Sequence, residues 1–80
     1  MTNYKDIINI ICNNENFKNL KEMSNDEIDE EGEALITAAT ELTAEFIEVE
    51  EYTIDEFMND IQKIRTRYQE LWAEASEREI

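Results

Sequence analysis

The chain has 80 residues, which is enough for one small domain, here expected as a single helical domain over residues 1–80. It carries 21 acidic and 7 basic residues, no histidine and no proline, and its net charge is −14. This charge opposes direct binding to nucleic acid or to an anionic membrane. The missing histidine and the single Cys12 exclude the commonest general base, the commonest metal ligand and a disulfide within the chain. We expect no enzymatic activity, no cofactor and no bound metal.

Two helical segments are predicted near the start. Apolar residues recur there at helical spacing, namely Tyr4, Ile7, Ile8 and Ile11. They predict an amphipathic helix over residues 4–13, with Asn3 as its N-cap. Phe17 and Leu20 share a helical face and predict a short second helix over residues 16–23.

Two capping boxes mark the starts of two longer helices. In each box a hydroxyl residue precedes a glutamate by three positions, as Ser24 precedes Glu27 and Thr53 precedes Glu56. Each box is flanked by apolar residues placed for a hydrophobic staple. The boxes predict helices over residues 25–50 and 54–78.

Both long helices carry an apolar seam with alternating spacings of three and four residues. The first seam is Ile28, Gly32, Leu35, Ala39, Leu42, Phe46 and Val49, and the second is Ile54, Phe57, Ile61, Ile64, Tyr68, Leu71 and Ala75. The short connection predicts an all-α fold, a long antiparallel helical hairpin with a packed N-terminal helix in a three- to four-helix bundle. Met58, Arg65 and Trp72 lie beside the second seam and predict the surface on which the N-terminal helix packs.

Two features of the first long helix leave alternatives open. Gly32 costs about 1 kcal/mol relative to alanine inside a helix. It either permits close approach on the seam or divides the helix. Residues 46–50 alternate like an edge strand, but the seam continues through them and favours a helix.

The negative charge is concentrated in the middle of the chain. Residues 22–62 contain 15 acids and no base, whereas residues 1–21 have a net charge of +1 and residues 63–80 are neutral overall. We expect removal of Lys63, Arg67 and Arg78, in the neutral part, to have little effect on binding. Cys12 is interpreted as a small buried or half-buried residue.

Many of the acids fall roughly opposite the first seam and predict a line of carboxylates about 36 Å long. The candidate partner-binding residues are Asp26, Glu30, Glu33, Glu41, Glu45, Glu48, Glu50, Glu51, Asp55 and Glu56. Helix capping accounts for the acids at the two N-termini. It does not account for the acids from Glu41 to Glu51, because the helix dipole disfavours negative charge at a C-terminus.

An acidic helix face is often only a means of solubility. The one-sided placement of these acids favours a second interpretation, an anionic surface that docks on a basic one. The commonest strongly basic target is a nucleic-acid-binding groove. We therefore predict a larger protein with a basic groove as the partner.

The length, the lone cysteine, the missing histidine and the carboxylate row from Asp26 to Glu56 give the chain a family resemblance. It resembles the small acidic proteins that phages and mobile elements use against host defence, which include DNA-mimic anti-restriction proteins and several anti-CRISPR proteins. The resemblance implies a viral inhibitor that occludes a nucleic-acid-binding site on a larger protein.

Two other functions are compatible with the same sequence. One is an antitoxin or immunity-type protein that neutralises a basic toxin. The other is a structural or adaptor hairpin that forms a homodimer through its seam. No segment resembles a targeting signal or a membrane span, so we expect a cytoplasmic protein, in the host cytoplasm if a phage encodes it.

Overall fold

The structure, a computed structural model, describes residues 3–79. Its helices are α1 (Tyr4–Cys12), α2 (Asn25–Glu48) and α3 (Ile54–Glu77), and a single turn of 3-10 helix covers Leu20–Glu22. None of the described residues forms a β-strand. The predicted all-α fold with a helical hairpin is confirmed, while Met1, Thr2 and Ile80 of the domain predicted over residues 1–80 lie outside the described residues.

The predicted helix ends were slightly too long. α1 ends at Cys12, α2 at Glu48 and α3 at Glu77, one or two residues earlier than predicted. The strand alternative for residues 46–50 is wrong, because α2 continues to Glu48 before Val49 becomes extended, with φ −108° and ψ 109°.

The predicted helix over residues 16–23 is wrong, because only Leu20–Glu22 is helical. Arg67 of α3 and Arg78, the residue after it, bind the backbone of this segment instead. Arg67 donates to the carbonyl of Lys18 at 2.9 Å, and Arg78 donates to the carbonyl of Leu20 at 2.9 Å. These tertiary hydrogen bonds hold the segment against α3 and its end, so its conformation depends on residues distant in the sequence.

The N-terminal caps are confirmed. The amide of Glu27 donates to Ser24 Oγ at 3.2 Å, and the amide of Ser24 donates to Glu27 Oε1 at 3.0 Å. Thr53 and Glu56 form the equivalent box at α3, and Asn3 caps α1. Satisfied N-terminal amides therefore define where each helix begins.

α2 and α3 pack as an antiparallel pair joined by the turn at residues 49–53. Three pairs of residues show the alignment: Phe46 stacks on Phe57 with ring centroids 4.5 Å apart, Gly32 lies beside Tyr68, and Arg78 donates to Asn25 Oδ1 at 3.2 Å. The two numbers in each pair add to nearly the same value, as an antiparallel alignment requires. The hairpin gives the molecule its elongated shape, with extents of 42 × 20 × 19 Å.

The core lies between the hairpin and α1. Ile7 of α1 and Leu35 of α2 are fully buried, and Leu42, Ile64 and Leu71 of the predicted seams are buried with them. The seams do not reach the turn, because Val49 and Ile54 are exposed. No helix within residues 3–79 has the length and apolar character needed to cross a lipid bilayer.

The prediction that α1 packs on the Met58–Arg65–Trp72 stripe is wrong. The side chains of Met58 and Trp72 are 60% and 62% exposed, and Arg65 is exposed as well. α1 packs on the other face of the hairpin, where Lys63 donates to the carbonyl of Ile11 at 3.5 Å. On that face the small side chain of Ala38 is completely buried, which allows the helices to approach closely.

Gly32 does not divide α2, which runs through it without interruption. A Cβ atom built at this position would meet only the Tyr68 ring, at 4.0 Å, an ordinary van der Waals distance. The glycine is therefore not required by a close contact within this chain.

We predict that Gly32→Ala raises the free energy of unfolding by about 0.5–1 kcal/mol, because alanine reduces the backbone entropy of the unfolded chain. Urea titration followed by circular dichroism measures the change. The matched control is Ala44→Gly at an exposed position of the same helix, which should lower the stability by a similar amount. A loss of stability in Gly32→Ala would show that the glycine is needed for helix packing.

Candidate functional site

The predicted partner-binding carboxylates lie mostly at the surface. All ten residues are exposed except Glu30, which is half-buried; the exposed ones are Asp26, Glu33, Glu41, Glu45, Glu48, Glu50, Glu51, Asp55 and Glu56. Because α2 ends at Glu48, its row spans about 33 Å rather than 36 Å. Glu50 and Glu51 lie in the hairpin turn, so the end of the row is a cluster around that turn. We call the ten residues together the carboxylate surface.

The carboxylate surface has two parts. Residues 34–40 of α2 contain no acid, and the eight helical steps from Glu33 to Glu41 correspond to a gap of about 12 Å along the helix. The hydroxyl groups of Thr37 and Thr40 donate to the carbonyl groups four residues earlier, at 3.2 and 3.1 Å. The larger part of the negative charge therefore lies at and next to the turn.

Within residues 3–79, no carboxylate of this surface forms an ion pair. The ion pairs are Lys18–Glu27 at 2.7 Å, Lys21–Glu74 and Lys21–Glu77 both at 2.8 Å, Arg67–Glu31 at 2.6 Å and Arg78–Glu74 at 2.8 Å. All of them join acids that lie outside the carboxylate surface. The fold thus uses its few basic side chains elsewhere and leaves this surface without compensating charge.

Glu45 differs from its neighbours because it lies on the side of α2 that approaches the end of α1. Partial desolvation, together with the nearby carboxylates of Asp60 and Glu45, raises the pKa of the Cys12 thiol. The Tyr52 hydroxyl donates to Asp60 at 2.6 Å, and burial and this bond raise the pKa of Tyr52. Cys12 is exposed rather than buried as predicted. Its neighbours disfavour the reactive thiolate, so this cluster has no activated nucleophile.

A buried ion pair between the long helices was not predicted. Glu31 Oε2 accepts a hydrogen bond from Arg67 Nε at 2.6 Å, and both side chains are about 5% exposed. Arg67 also donates to the carbonyl of Lys18 and lies over the Phe17 ring, 4.8 Å from its centroid. Glu31 lies one helical turn before Leu35 of the first seam. An antiparallel alignment of the two predicted helices brings Glu31 and Arg67 to the same level, so it could have revealed the pair.

Arg78 connects the end of α3 to the start of α2. It donates to the carbonyl of Met23 at 2.6 Å, to that of Leu20 at 2.9 Å, and to Glu74 at 2.8 Å. Arg67 and Arg78 are therefore structural residues, while the expected small effect of their removal on binding stays a prediction. Their removal would destabilise the fold before it could report on binding.

We predict that Arg67→Ala lowers the free energy of unfolding by about 3–5 kcal/mol, because it leaves the Glu31 carboxylate buried without a counter-charge. The double variant Glu31→Leu, Arg67→Met removes both charges and should recover most of that loss. Denaturant titration of the parent, the two single variants and the double variant measures the coupling. A double variant as unstable as the two single losses combined would contradict this account.

The ion pair at the start of α2 has a pH dependence. Hydrogen bonds from Lys18 and Ser24 lower the pKa of Glu27 to about 2, from an ordinary value of 4.5. Hydrogen bonds from Lys21 and Arg78 likewise lower the pKa of Glu74. A depressed carboxyl pKa stabilises the fold fully above its unfolded value and loses this effect as the pH falls through the folded value. For Glu27 the window therefore extends from about pH 4.5 down to about pH 2.

We predict that the parent melts at a higher temperature than Glu27→Gln at pH 6 and that this difference shrinks between pH 4.5 and 2.5. Glutamine can still form the capping box, so the comparison isolates the charge. The control is Glu70→Gln, because Glu70 is exposed and forms no ion pair among the described residues. The difference in melting temperature between this variant and the parent should not shrink in the same way. A constant difference for Glu27→Gln across this range would refute the assignment.

Comparison with models of known protein families, with curated proteins and with solved structures gives no match for this chain. Within residues 3–79, no three histidine, cysteine or acidic side chains are grouped so that they could hold a metal ion.

Proposed function

We propose that this protein is an inhibitor of the phage or mobile-element type, which binds a basic, nucleic-acid-binding groove on a larger protein. In this proposal it acts as a DNA mimic in the manner of anti-restriction or anti-CRISPR proteins. The observation that carries the proposal is the carboxylate surface, which is exposed except for Glu30 and has no ion pair within residues 3–79.

The arrangement of these acids has an energetic cost in the free protein. Glu41 and Glu45 are four residues apart on α2, and like charges at this spacing destabilise a helix by a few tenths of a kcal/mol. They also lie near the C-terminus of α2, where the helix dipole disfavours negative charge. A partner that supplies positive charge would relieve this repulsion, which supports a role in binding over a role in solubility.

The spacing of the carboxylates suits a basic groove. Acids three or four residues apart on a helix are separated by about 5–6 Å along its axis. Duplex DNA carries one charge per about 1.7 Å, so the carboxylate surface is a sparser line of the same sign. Lysine and arginine side chains that bind phosphates in a groove could bind these carboxylates instead, and nucleic acid would then be excluded.

We predict that neutralising the turn end of this surface abolishes partner binding while the helical fold remains. The test variant is Glu41→Gln, Glu48→Gln, Glu50→Gln, Glu51→Gln, which leaves out Glu45 because of its position beside Cys12. The immobilised parent is used as bait in a lysate of its host, and a captured protein is purified. A gel-shift assay then asks whether the parent displaces nucleic acid from that protein and whether the variant fails to do so.

The matched control changes four exposed acids away from the surface, Glu15→Gln, Glu22→Gln, Glu70→Gln and Glu79→Gln. Its net charge equals that of the test variant, so a loss of binding confined to the test variant identifies a site rather than an effect of total charge. Binding of the parent should weaken steeply as salt is added, because long-range attraction between exposed charges is screened. Equal displacement of nucleic acid by both variants would overturn the proposal.

A further inference from the structure

The hairpin has one face that no other part of the described chain covers. α1 and the segment before α2 pack on the opposite face, through bonds from Lys63, Arg67 and Arg78. The uncovered face carries Gly32, Ile36 and Ile47 of α2 and Ile54, Met58, Ile61, Tyr68 and Trp72 of α3, and we call it the open face. Of these residues Ile36, Ile47, Ile54, Met58 and Trp72 are 56–78% exposed.

The open face is almost free of the carboxylates that cover the rest of the molecule. At about 100° per residue, the side of α3 that carries Met58 and Trp72 has Arg65 as its one charged residue between positions 54 and 76. α2 adds Asp29, with Glu33 at the edge. In a chain with a net charge of −14, this is the face on which a second copy can approach with the least repulsion between carboxylates.

The open face has a groove at one end and a projection at the other. The groove has a volume of about 360 Å³ and lies far from the turn, between Gly32 and Ile36 of α2 and Tyr68 and Trp72 of α3. Its lining also includes the two acids of α2 on this face, Asp29 and Glu33. Three exposed apolar side chains of the open face lie near the turn, and we call them the projection: Ile47, Ile54 and Met58. About 22 Å of helix separates the level of Gly32 from that of Ile47.

We propose that the occupant of the open face is a second copy of this chain, packed antiparallel about a two-fold axis. This arrangement places the projection of each copy against the groove of the other, and one symmetry operation forms both contacts at once. In this dimer, α2 and α3 of both copies form a four-helix bundle, and Trp72 of one copy lies beside Ile54 of the other.

The available area agrees with a stable dimer. The long side of the molecule measures 42 × 20 Å. Its outline of about 800 Å² is the upper limit of what one copy buries there, and it equals the area that a standard specific interface buries on each partner. Most of the carboxylate surface points away from the open face, so the dimer would expose it twice. The inference does not depend on the proposed function, because it rests on the open face and its test measures only self-association.

Sedimentation equilibrium of the full chain at moderate salt, from about 1 μM to about 500 μM, tests the dimer. The apparent mass should rise from that of the 9.5 kDa chain to twice that value. Trp72 is the only tryptophan, so its emission should shift to shorter wavelength over the same range as the indole leaves water. A mass that stays at 9.5 kDa throughout would overturn the proposal.

A pair of matched variants locates the interface. Ile36→Glu with Trp72→Glu places charge on the open face and should weaken dimerisation on the order of 100-fold or more. Thr37→Glu with Gln62→Glu adds the same charge at exposed positions on other sides of the same helices and should have a much smaller effect. Circular dichroism at low concentration checks that both variants fold. Equal weakening by the two variants, or none in the first, would reject the open face as the interface.

Energy transfer determines the orientation of the two copies. The donor is Trp72 of the unlabelled parent. The acceptor copies carry Trp72→Phe and Cys12→Ser, so that they contain neither a tryptophan nor the native cysteine. An acceptor dye is attached to these copies at a new cysteine, either Glu51→Cys or Ser76→Cys. In the antiparallel dimer the acceptor at position 51 lies within about 10 Å of the partner's indole, and the acceptor at position 76 lies more than about 30 Å away. Stronger transfer to position 76 would show a parallel dimer and refute the arrangement.

Discussion

The structure depends on the Arg67 side chain, which joins three separate parts of the chain. Its guanidinium group forms an ion pair with the buried Glu31 of α2, donates to the carbonyl of Lys18, and lies over the Phe17 ring. A buried carboxylate is tolerated only with a counter-charge. The Glu31–Arg67 pair therefore joins α2 to α3 inside the hairpin, and the bond to Lys18 connects the segment before α2 to α3.

The small number of basic residues explains how the charge of the molecule is distributed. Lys18, Lys21 and Arg78, like Arg67, pair with acids near the end of the hairpin that lies far from the turn. With seven bases for 21 acids, no ion pair reaches the turn within residues 3–79, and the carboxylates accumulate there. A stable end with mixed charge and a repulsive end near the turn result from the same shortage of basic residues.

The two faces of the hairpin suggest different roles. The carboxylate surface suits long-range attraction to a basic groove, which affects association rates and is sensitive to salt. The open face is apolar and carries little charge, so it suits short-range contact with a surface of the same kind. If both proposals hold, one dimer would present two anionic surfaces, and each protomer could bind a basic groove without separating from its partner.

Local signals in the sequence were enough to predict the helices. The capping boxes at Ser24 and Thr53 act within four residues, and the apolar seams repeat every turn. The hairpin and the buried middle of its seams were therefore predicted correctly, while the seam ends at Val49 and Ile54 are exposed. All ten acids of the carboxylate surface were predicted to be exposed, because a charged side chain without a partner stays in water. The structure confirms this for every one except Glu30, which is half-buried. Whether those acids bind a partner remains a prediction.

Tertiary structure decided what depends on contacts between distant residues. The spacing of seven residues showed that Trp72 shares a side of α3 with Met58. It did not show which face of the hairpin α1 would cover. A packed surface was therefore predicted at Trp72, and the structure shows this side chain exposed. The segment over residues 16–23 has a helical pattern, yet bonds to Arg67 and Arg78 hold most of it outside a helix. The sequence by itself determined the local elements, because caps and periodic seams act over a few residues. Only the tertiary structure decided which charges are buried and which apolar face stays open, because those outcomes depend on which surfaces meet.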